Sequence, residues 1–217
     1  MQVRDFTSDG QDMTVPETLP ASSGDESAIR ALIAHCQTGD QAAYGALYQA
    51  VTPGLYRLAY SILLDRQDAE DVTQEAMVYA FRNLHRYDPA RGTLRTWLYT
   101  ITVSRCRNAR RRKWLPTTAL ANLLHLEPTI PESHTPEAAV ARRSVREALE
   151  KALATLSPRL REAIALRYGQ GLTYREMAEI LDCPQKTAES RIRLAHEALR
   201  AAMQAEDVAL LEELWSF

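Results

Sequence analysis

A chain of 217 residues with 46% hydrophobic and 25% charged residues can bury the core of one large or two small domains. Eight Gly and ten Pro exclude collagen-like or low-complexity architecture, and three Cys exclude a disulfide scaffold. A net charge of −2, no apolar run near the length of a membrane span and no apolar core in Met1–Gly10 lead us to expect a soluble, cytoplasmic protein.

Residues 1–27 are Ser-, Asp-, Gly- and Pro-containing without period, and they read as a disordered acidic extension. Helical periodicity starts near Ile29 and passes Leu32 and Ile33 before a break at Gly39-Asp40. It resumes through Ala43, Leu47 and Tyr48, meets punctuation at Pro53-Gly54, and continues with Leu55, Leu58, Ala59, Ile62 and Leu63. A third helix is expected to open at Asp68, with acids in its first turn and an apolar stripe of Val72, Ala76, Tyr79, Ala80 and Leu84, and to stop before Asp88-Pro89. A fourth carries Leu94, Trp97, Leu98 and Ile101 on one face. Residues 114–137 hold Pro116, Pro128, Pro131 and Pro136 and read as an interdomain linker, with a short helix possible over Ala119–Leu126. Periodicity returns at Ala138 and runs through Val145, Leu149 and Leu153; Ser157-Pro158 starts another helix with Leu160, Ile164, Ala165 and Tyr168 inward. No segment alternates with period two for long enough to be a strand. The chain reads as all-α, with two small helical domains at 28–113 and 138–203 and an acidic amphipathic tail at 204–217.

Charge is distributed unevenly along this frame. Residues 1–27 carry Asp5, Asp9, Asp12, Glu17, Asp25 and Glu26 against Arg4, while residues 91–113 carry Arg91, Arg95, Arg105, Arg107, Arg110, Arg111, Arg112 and Lys113 with no acid. Residues 141–203 are again basic, and the tail is acidic. Two basic zones separated by acidic stretches fit a polyanion held at two places; the plainer alternative is a solvated helix end.

The sharpest local signal is Leu172–Arg200. Thr173 and Glu176 have the spacing of a capping box, Met177, Ile180 and Leu181 face inward, and Asp182-Cys183-Pro184 supplies a tight turn. The next helix buries Ala188, Ile192, Ala195 and Leu199. Its opposite face shows Lys186, Glu189, Ser190, Arg193 and Glu197, and the candidates for DNA contact on it are Gln185, Lys186, Thr187, Glu189, Ser190, Arg191 and Arg193. A short capped helix, a turn and a helix with a polar N-terminal half suit major-groove reading, although an ordinary helical hairpin has the same outline.

Residues 42–113 and 138–203 together resemble a bacterial sigma factor of the extracytoplasmic-function (ECF) class, the two-domain RNA polymerase sigma subunit. The resemblance rests on Ala43-Tyr44-Gly45-Ala46-Leu47-Tyr48, Leu55-Tyr56-Arg57-Leu58-Ala59, Asp68-Ala69-Glu70-Asp71-Val72-Thr73-Gln74-Glu75, and Gly92-Thr93-Leu94-Arg95-Thr96-Trp97-Leu98. In the second domain it rests on Leu156-Ser157-Pro158, Thr173-Tyr174-Arg175-Glu176-Met177-Ala178 and Ser190-Arg191. The resemblance implies that Asp71, Gln74 and Glu75, at i, i+3 and i+4 of one helix, dock on the clamp helices of the polymerase largest subunit. It implies that the following loop and helix melt the −10 promoter element and hold its non-template strand. Tyr87, Arg91, Thr93, Arg95, Trp97 and Tyr99, backed by Arg105, Asn108, Arg111 and Arg112, mix aromatic surface with cations as strand holding requires. Trp97 also lies on the apolar stripe and can equally be core.

By the same resemblance the second domain binds duplex −35 DNA and the polymerase flap region, the linker threads toward the active centre, and an anti-sigma factor governs a stress- or signal-responsive regulon. The chain departs from many relatives at Val103-Ser104, where Arg-Asn is common, and at Lys186, Glu189 and Leu194, so a −35 preference cannot be copied from one of them. Two other classes fit parts of the chain: a polymerase-independent helix-turn-helix regulator, and a sigma-like decoy that sequesters an anti-sigma factor. No P-loop, nucleophile elbow or metal-spaced Cys/His set is present, so neither enzymatic activity nor a metal or other cofactor is expected. Cys106, among arginines, is the thiol to test for redox reactivity.

Overall fold

The structure is a computed structural model that describes residues 23–114 and 149–202, with side chains at 28–113 and 149–202. The expected linker, the tail and residues 1–22 lie outside the described residues, apart from Trp114, which ends a helix. In order, the elements are α1 (Ser23–Gln37), α2 (Gln41–Leu63), α3 (Arg66–Arg82), a 3-10 turn (Leu84–Arg86), α4 (Leu94–Trp114), α5 (Pro158–Ile164), a π-helical turn (Ala165–Gly169), α6 (Tyr174–Leu181) and α7 (Gln185–Ala202). Residues 149–155 are also helical, and no strand occurs among the described residues.

Helix α1 starts at Ser23, inside the stretch expected to be unstructured, and it ends where Gly39 takes φ +87°, a value cheap only for glycine. Asp40 then caps α2, its Oδ1 accepting from the Ala42 and Ala43 amides at 2.9 and 3.4 Å. Pro53 does not break the chain as its type suggests. Helix α2 runs through it, with Val51 and Leu55 fully buried on either side, so burial outweighs the missing N–H. The chain divides at this proline into two compact units, residues 1–53 and 54–217.

Within the second unit, α3 packs along α4, α4 also packs on α6, and α7 packs on both α5 and α6. Asp65 opens α3 three residues before the expected start, accepting from the Asp68 amide at 2.9 Å. The apolar stripe holds at Val72, Ala76 and Ala80, but Tyr79 is exposed. Helix α4 is buried on more than one side: Leu98, Tyr99, Ile101, Thr102, Val103, Cys106 and Ala109 are each at most 8% exposed. Such wide burial marks a helix between two layers. Thr102 satisfies its hydroxyl on the Leu98 carbonyl at 2.9 Å, which permits a polar residue in that interior.

Pro158 stands in the first turn of α5 behind Ser157. Ile164, Ala165 and Leu166 are buried as the pattern requires, but Tyr168 turns outward from the π-helical turn. The capping box forms in full: Thr173 Oγ1 accepts from the Glu176 amide at 3.3 Å, and Glu176 Oε2 accepts from the Thr173 amide at 2.8 Å. Asp182 leaves α6 at φ +52°, a left-handed position that Asp tolerates better than most residues. Thr173→Ala removes one side of the box. We expect a loss of about 1 kcal/mol, seen in a thermal melt as a decrease of roughly 2–4 °C for a domain of this size.

Candidate nucleic-acid interface

The cationic end of α4 is largely paired within the protein. Arg105 lies 4.8 Å over the Tyr79 ring. Arg107 donates from Nε and Nη2 to Glu162 Oε2 at 3.1 and 2.8 Å. Arg110 Nη2 lies 3.1 Å from Glu162 Oε1 as an ionic contact out of hydrogen-bond alignment, and its Nη1 has no hydrogen-bond partner. Arg111 donates to Asn108 Oδ1. Arg112 reaches Glu75 Oε1 at 3.0 and 3.1 Å, while Lys113 bridges Asp68 at 2.6 Å and Asp65 at 3.4 Å. Burial disfavours the Lys113 charge, but the hydrogen bond and charge of Asp68, joined by Asp65, outweigh it and raise its pKa. The Asp68 amide, with Lys113, in turn lowers the Asp65 pKa against its partial burial.

The loop and first turns of α4 hold the aromatic candidates. Thr93 caps α4, its Oγ1 accepting from the Thr96 amide at 3.1 Å. Tyr87 donates to the Gly92 carbonyl at 3.1 Å, and its ring lies 5.6 Å from that of Trp97, which is half-buried. Arg91 is exposed in the loop before α4. Tyr99 is placed differently. It is 1% exposed, its hydroxyl donates to Gln170 Oε1 at 2.6 Å, and burial pushes its pKa up to about 12. Arg95 Nη2 reaches Glu176 Oε1 at 3.3 Å. Burial opposes the Glu176 charge, yet the Thr173 donors and Arg95 hold its pKa below the usual carboxylate value. Tyr87 and Trp97 therefore pair near the start of α4, with Arg91 exposed and Thr93 half-buried between them in sequence, whereas Arg95 and Tyr99 face the helix-turn-helix.

On α3, Asp71 and Gln74 are exposed and Glu75 is half-buried under Arg112. Val78 continues this face at i+7 from Asp71 and is 44% exposed.

On α7, Ala188, Ile192, Ala195 and Leu199 are buried, as their spacing requires. Lys186 and Gln185 are exposed, Thr187, Glu189 and Ser190 are partly so, and Gln185 Nε2 donates to Glu189 Oε1 at 2.9 Å. Arg193 is exposed and pairs with Glu197 at 2.8 Å. Arg191 is half-buried with an Nη1 that lacks a hydrogen-bond partner. The exposed Leu194 gives this face an apolar member.

Two helical layers, one ending in a capped helix-turn-helix, thus carry an acidic face, an aromatic pair and a polar recognition helix. Residues 47–115 match the family described as Sigma-70 region 2, and residues 146–199 match Sigma-70, region 4. The RNA polymerase sigma-H factor of Pseudomonas aeruginosa is 31% identical over 80% of this chain and 92% of its own. The ECF RNA polymerase sigma-E factor of Escherichia coli is 33% identical over 80% and 93%.

The chain belongs to the ECF class of RNA polymerase sigma factors.

The ECF sigma factor SigW of Bacillus subtilis is a further relative, 29% identical over 82% of this sigma factor and 98% of its own chain. Among solved structures, CnrH in complex with the cytosolic domain of CnrY matches with a TM-score of 0.57 at 27% identity, over 80% of this chain and 96% of that one. The sigma factor RpoE of Bartonella quintana, solved with the anti-sigma factor NepR, shares the fold with a TM-score of 0.56 at 24% identity, over 71% and 92%. This protein is accordingly a transcription initiation factor that serves RNA polymerase. Membership of the class sets aside the polymerase-independent regulator.

Several members of these surfaces escape sequence reasoning. Glu162 follows Arg161 in a short helix, and nothing in its spacing marks it as fully buried. Arg107, Arg110 and Gln170 become informative only once α5 and α6 are seen against α4. Val103, which departs from the common Arg, is fully buried and is a packing residue here. Among the described residues no group of three His, Cys, Asp or Glu is placed to hold a metal ion, and no helix is long and apolar enough to cross a membrane.

The expectation for Cys106 is corrected. Its thiol is fully buried and its pKa is pushed up to about 12, first by burial and then by the Glu162 charge. The surrounding arginines do not offset this, and an unreactive thiol results. A maleimide should label one thiol rapidly in the native protein, Cys183, because Cys36 and Cys106 are buried. Mass spectrometry after a short pulse reads this directly; modified Cys106 would refute it.

Proposed function

We propose that this sigma factor docks on the clamp helices of core polymerase through Asp71, Gln74 and Glu75 of α3. Tyr87, Arg91, Thr93 and Trp97 then take the melted −10 strand, together with Arg95, Tyr99, Arg105, Asn108, Arg111 and Arg112. Helix α7 reads −35 DNA with Gln185, Lys186, Thr187, Glu189, Ser190, Arg191 and Arg193. In this reading residues 28–113 and 138–203 are the two functional domains, and 114–137 connects them across the polymerase. The protein acts in the cytoplasm, without catalysis of its own, and answers to an anti-sigma factor. The complex of CnrH with the CnrY cytosolic domain supports a protein partner of this kind.

The observation that carries the reading is the face of α3. Asp71, Gln74, Glu75 and the exposed Val78 fall at i, i+3, i+4 and i+7, an acidic and apolar strip of the sort a basic helical partner covers.

Replacing Gln74 and Glu75 together by Arg should weaken binding to core polymerase at least about thirtyfold, because charges opposed across an interface cost several kcal/mol. The melting temperature should change little, since the exposed Glu75–Arg112 pair contributes about 0–1 kcal/mol. Fluorescence titration with sigma-free core decides it, and normal binding by the variant overturns the docking assignment. Arg191→Ala with Arg193→Ala should leave core affinity intact and weaken −35 duplex binding. If both side chains meet phosphates, the slope of log affinity against log salt becomes shallower by about 1.8. Unchanged duplex binding would remove α7 from its assigned role.

A further inference from the structure

Glu189 lies one turn beyond Gln185, the first residue of α7, whose Nε2 donates to Glu189 Oε1 at 2.9 Å. Two cations stand within helical reach of this carboxylate, Lys186 at i−3 and Arg193 at i+4. Neither pairs with it. Arg193 turns to Glu197 instead, at 2.8 Å, although a Glu placed N-terminal to a cation at i, i+4 is the favoured order for such a pair. Among the described residues the carboxylate of Glu189 therefore has one side-chain partner, a neutral amide, and its Oε2 is left to accept from outside the protein.

An uncompensated negative charge in the N-terminal half of a groove-reading helix is restrictive. Phosphates repel it from both sides of the groove. Most base edges repel it too: guanine shows N7 and O6, and thymine shows O4, all of them acceptors. Only the N4 amine of cytosine and the N6 amine of adenine can donate to a carboxylate. Adenine N6 lies between two acceptors, its own N7 and the O4 of the paired thymine. Cytosine N4 has an acceptor on one side alone, the O6 of its guanine. The second amide hydrogen of Gln185 can meet that O6. Glu189 thus discriminates by rejection as much as by attraction.

We propose that Glu189 sets the base preference at one position of the −35 element by accepting from the N4 amine of a cytosine, with Gln185 as the positioning residue that holds its carboxylate. This rests on the assignment of α7 to −35 duplex. The bond from Gln185 restrains the Glu189 side chain before DNA arrives, so less rotamer freedom is lost on contact. Neither residue belongs to the buried side of α7, which is made by Ala188, Ile192, Ala195 and Leu199. Substitution at either therefore changes what the helix presents and leaves its packing in place.

The test uses the full chain on core polymerase with a library of promoter fragments randomised across the −35 region, and the bound fragments are sequenced. The unmutated protein should favour cytosine on one strand, at one position, about fivefold or more over each other base. Glu189→Ala should flatten that position alone and keep the rest of the consensus. Fragments with the other three bases there should bind this variant more tightly than the parent, because the repulsion is gone. Glu189→Gln should move the preference to adenine, since a Gln amide pairs with N6 and N7 together. Gln185→Ala should keep cytosine and reduce its margin about two- to threefold. A consensus unchanged by Glu189→Ala, or cytosine still preferred by Glu189→Gln, overturns the proposal and leaves α7 on the −35 element. Fragments recovered with no base enriched anywhere in the randomised region remove α7 from that element, and the proposal falls with it.

Discussion

The fully buried carboxylate of Glu162 is the constraint around which the second unit is arranged. An unpaired carboxylate at that depth would be too costly to keep, so two guanidinium groups of α4 must stand beside it. Their presence fixes the rotation of α4 about its axis and sets Cys106 into the interior on the same helix. It also determines that Tyr99 and Arg95, two and three turns earlier, meet Gln170 and Glu176. One charged side chain thus orders a run of residues that would otherwise read as independent surface groups. Removing it leaves Arg107 and Arg110 partly exposed and cheaply hydrated, and the loss falls on the contact between layers.

The two ends of α4 differ in how they use charge. At the C-terminal end, Arg112 and Lys113 lie against Glu75, Asp68 and Asp65 of α3, where solvent screens the pairs and each contributes little to stability. The favourable position of cations at a helix C-terminus adds to this arrangement. At the N-terminal end Thr93 supplies the cap, Tyr87 with Trp97 leaves an aromatic surface, and Arg91 is exposed in the loop before the helix. A run of cations that looks uniform in the sequence is therefore sorted by neighbours into those paired with the buried Glu162, those paired with the acids of α3, and the exposed Arg91.

Local chemistry was the legible part of the sequence. The capping box at Thr173 and Glu176, the turn at Asp182-Cys183-Pro184 and the buried positions of α7 follow from spacing alone, because each is settled within a few residues. The all-helical class and the family were legible for the same reason, through motifs such as Asp68–Glu75. Pro53 was misleading because local propensity loses to the burial of Val51 and Leu55. Tyr79, Tyr168 and Tyr99 were misplaced because an aromatic ring satisfies an apolar periodicity whether it ends as core, as a cation platform or as a hydrogen-bond donor. Glu162 had no sequence signal, since its burial is decided by residues more than fifty positions away.

The pairing of Glu75 with Arg112 couples the acidic face of α3 to the cations of α4. A basic partner that claims the Glu75 carboxylate sets the Arg112 guanidinium free, and a polyanion that claims the guanidinium sets the carboxylate free. Linkage requires the two effects to be equal in size. Each of these ligands therefore raises the affinity for the other without any change of shape, by an amount limited to the worth of the pair, at most about fivefold for a solvent-screened contact of about 1 kcal/mol. Salt would erode that cooperativity along with the pair itself.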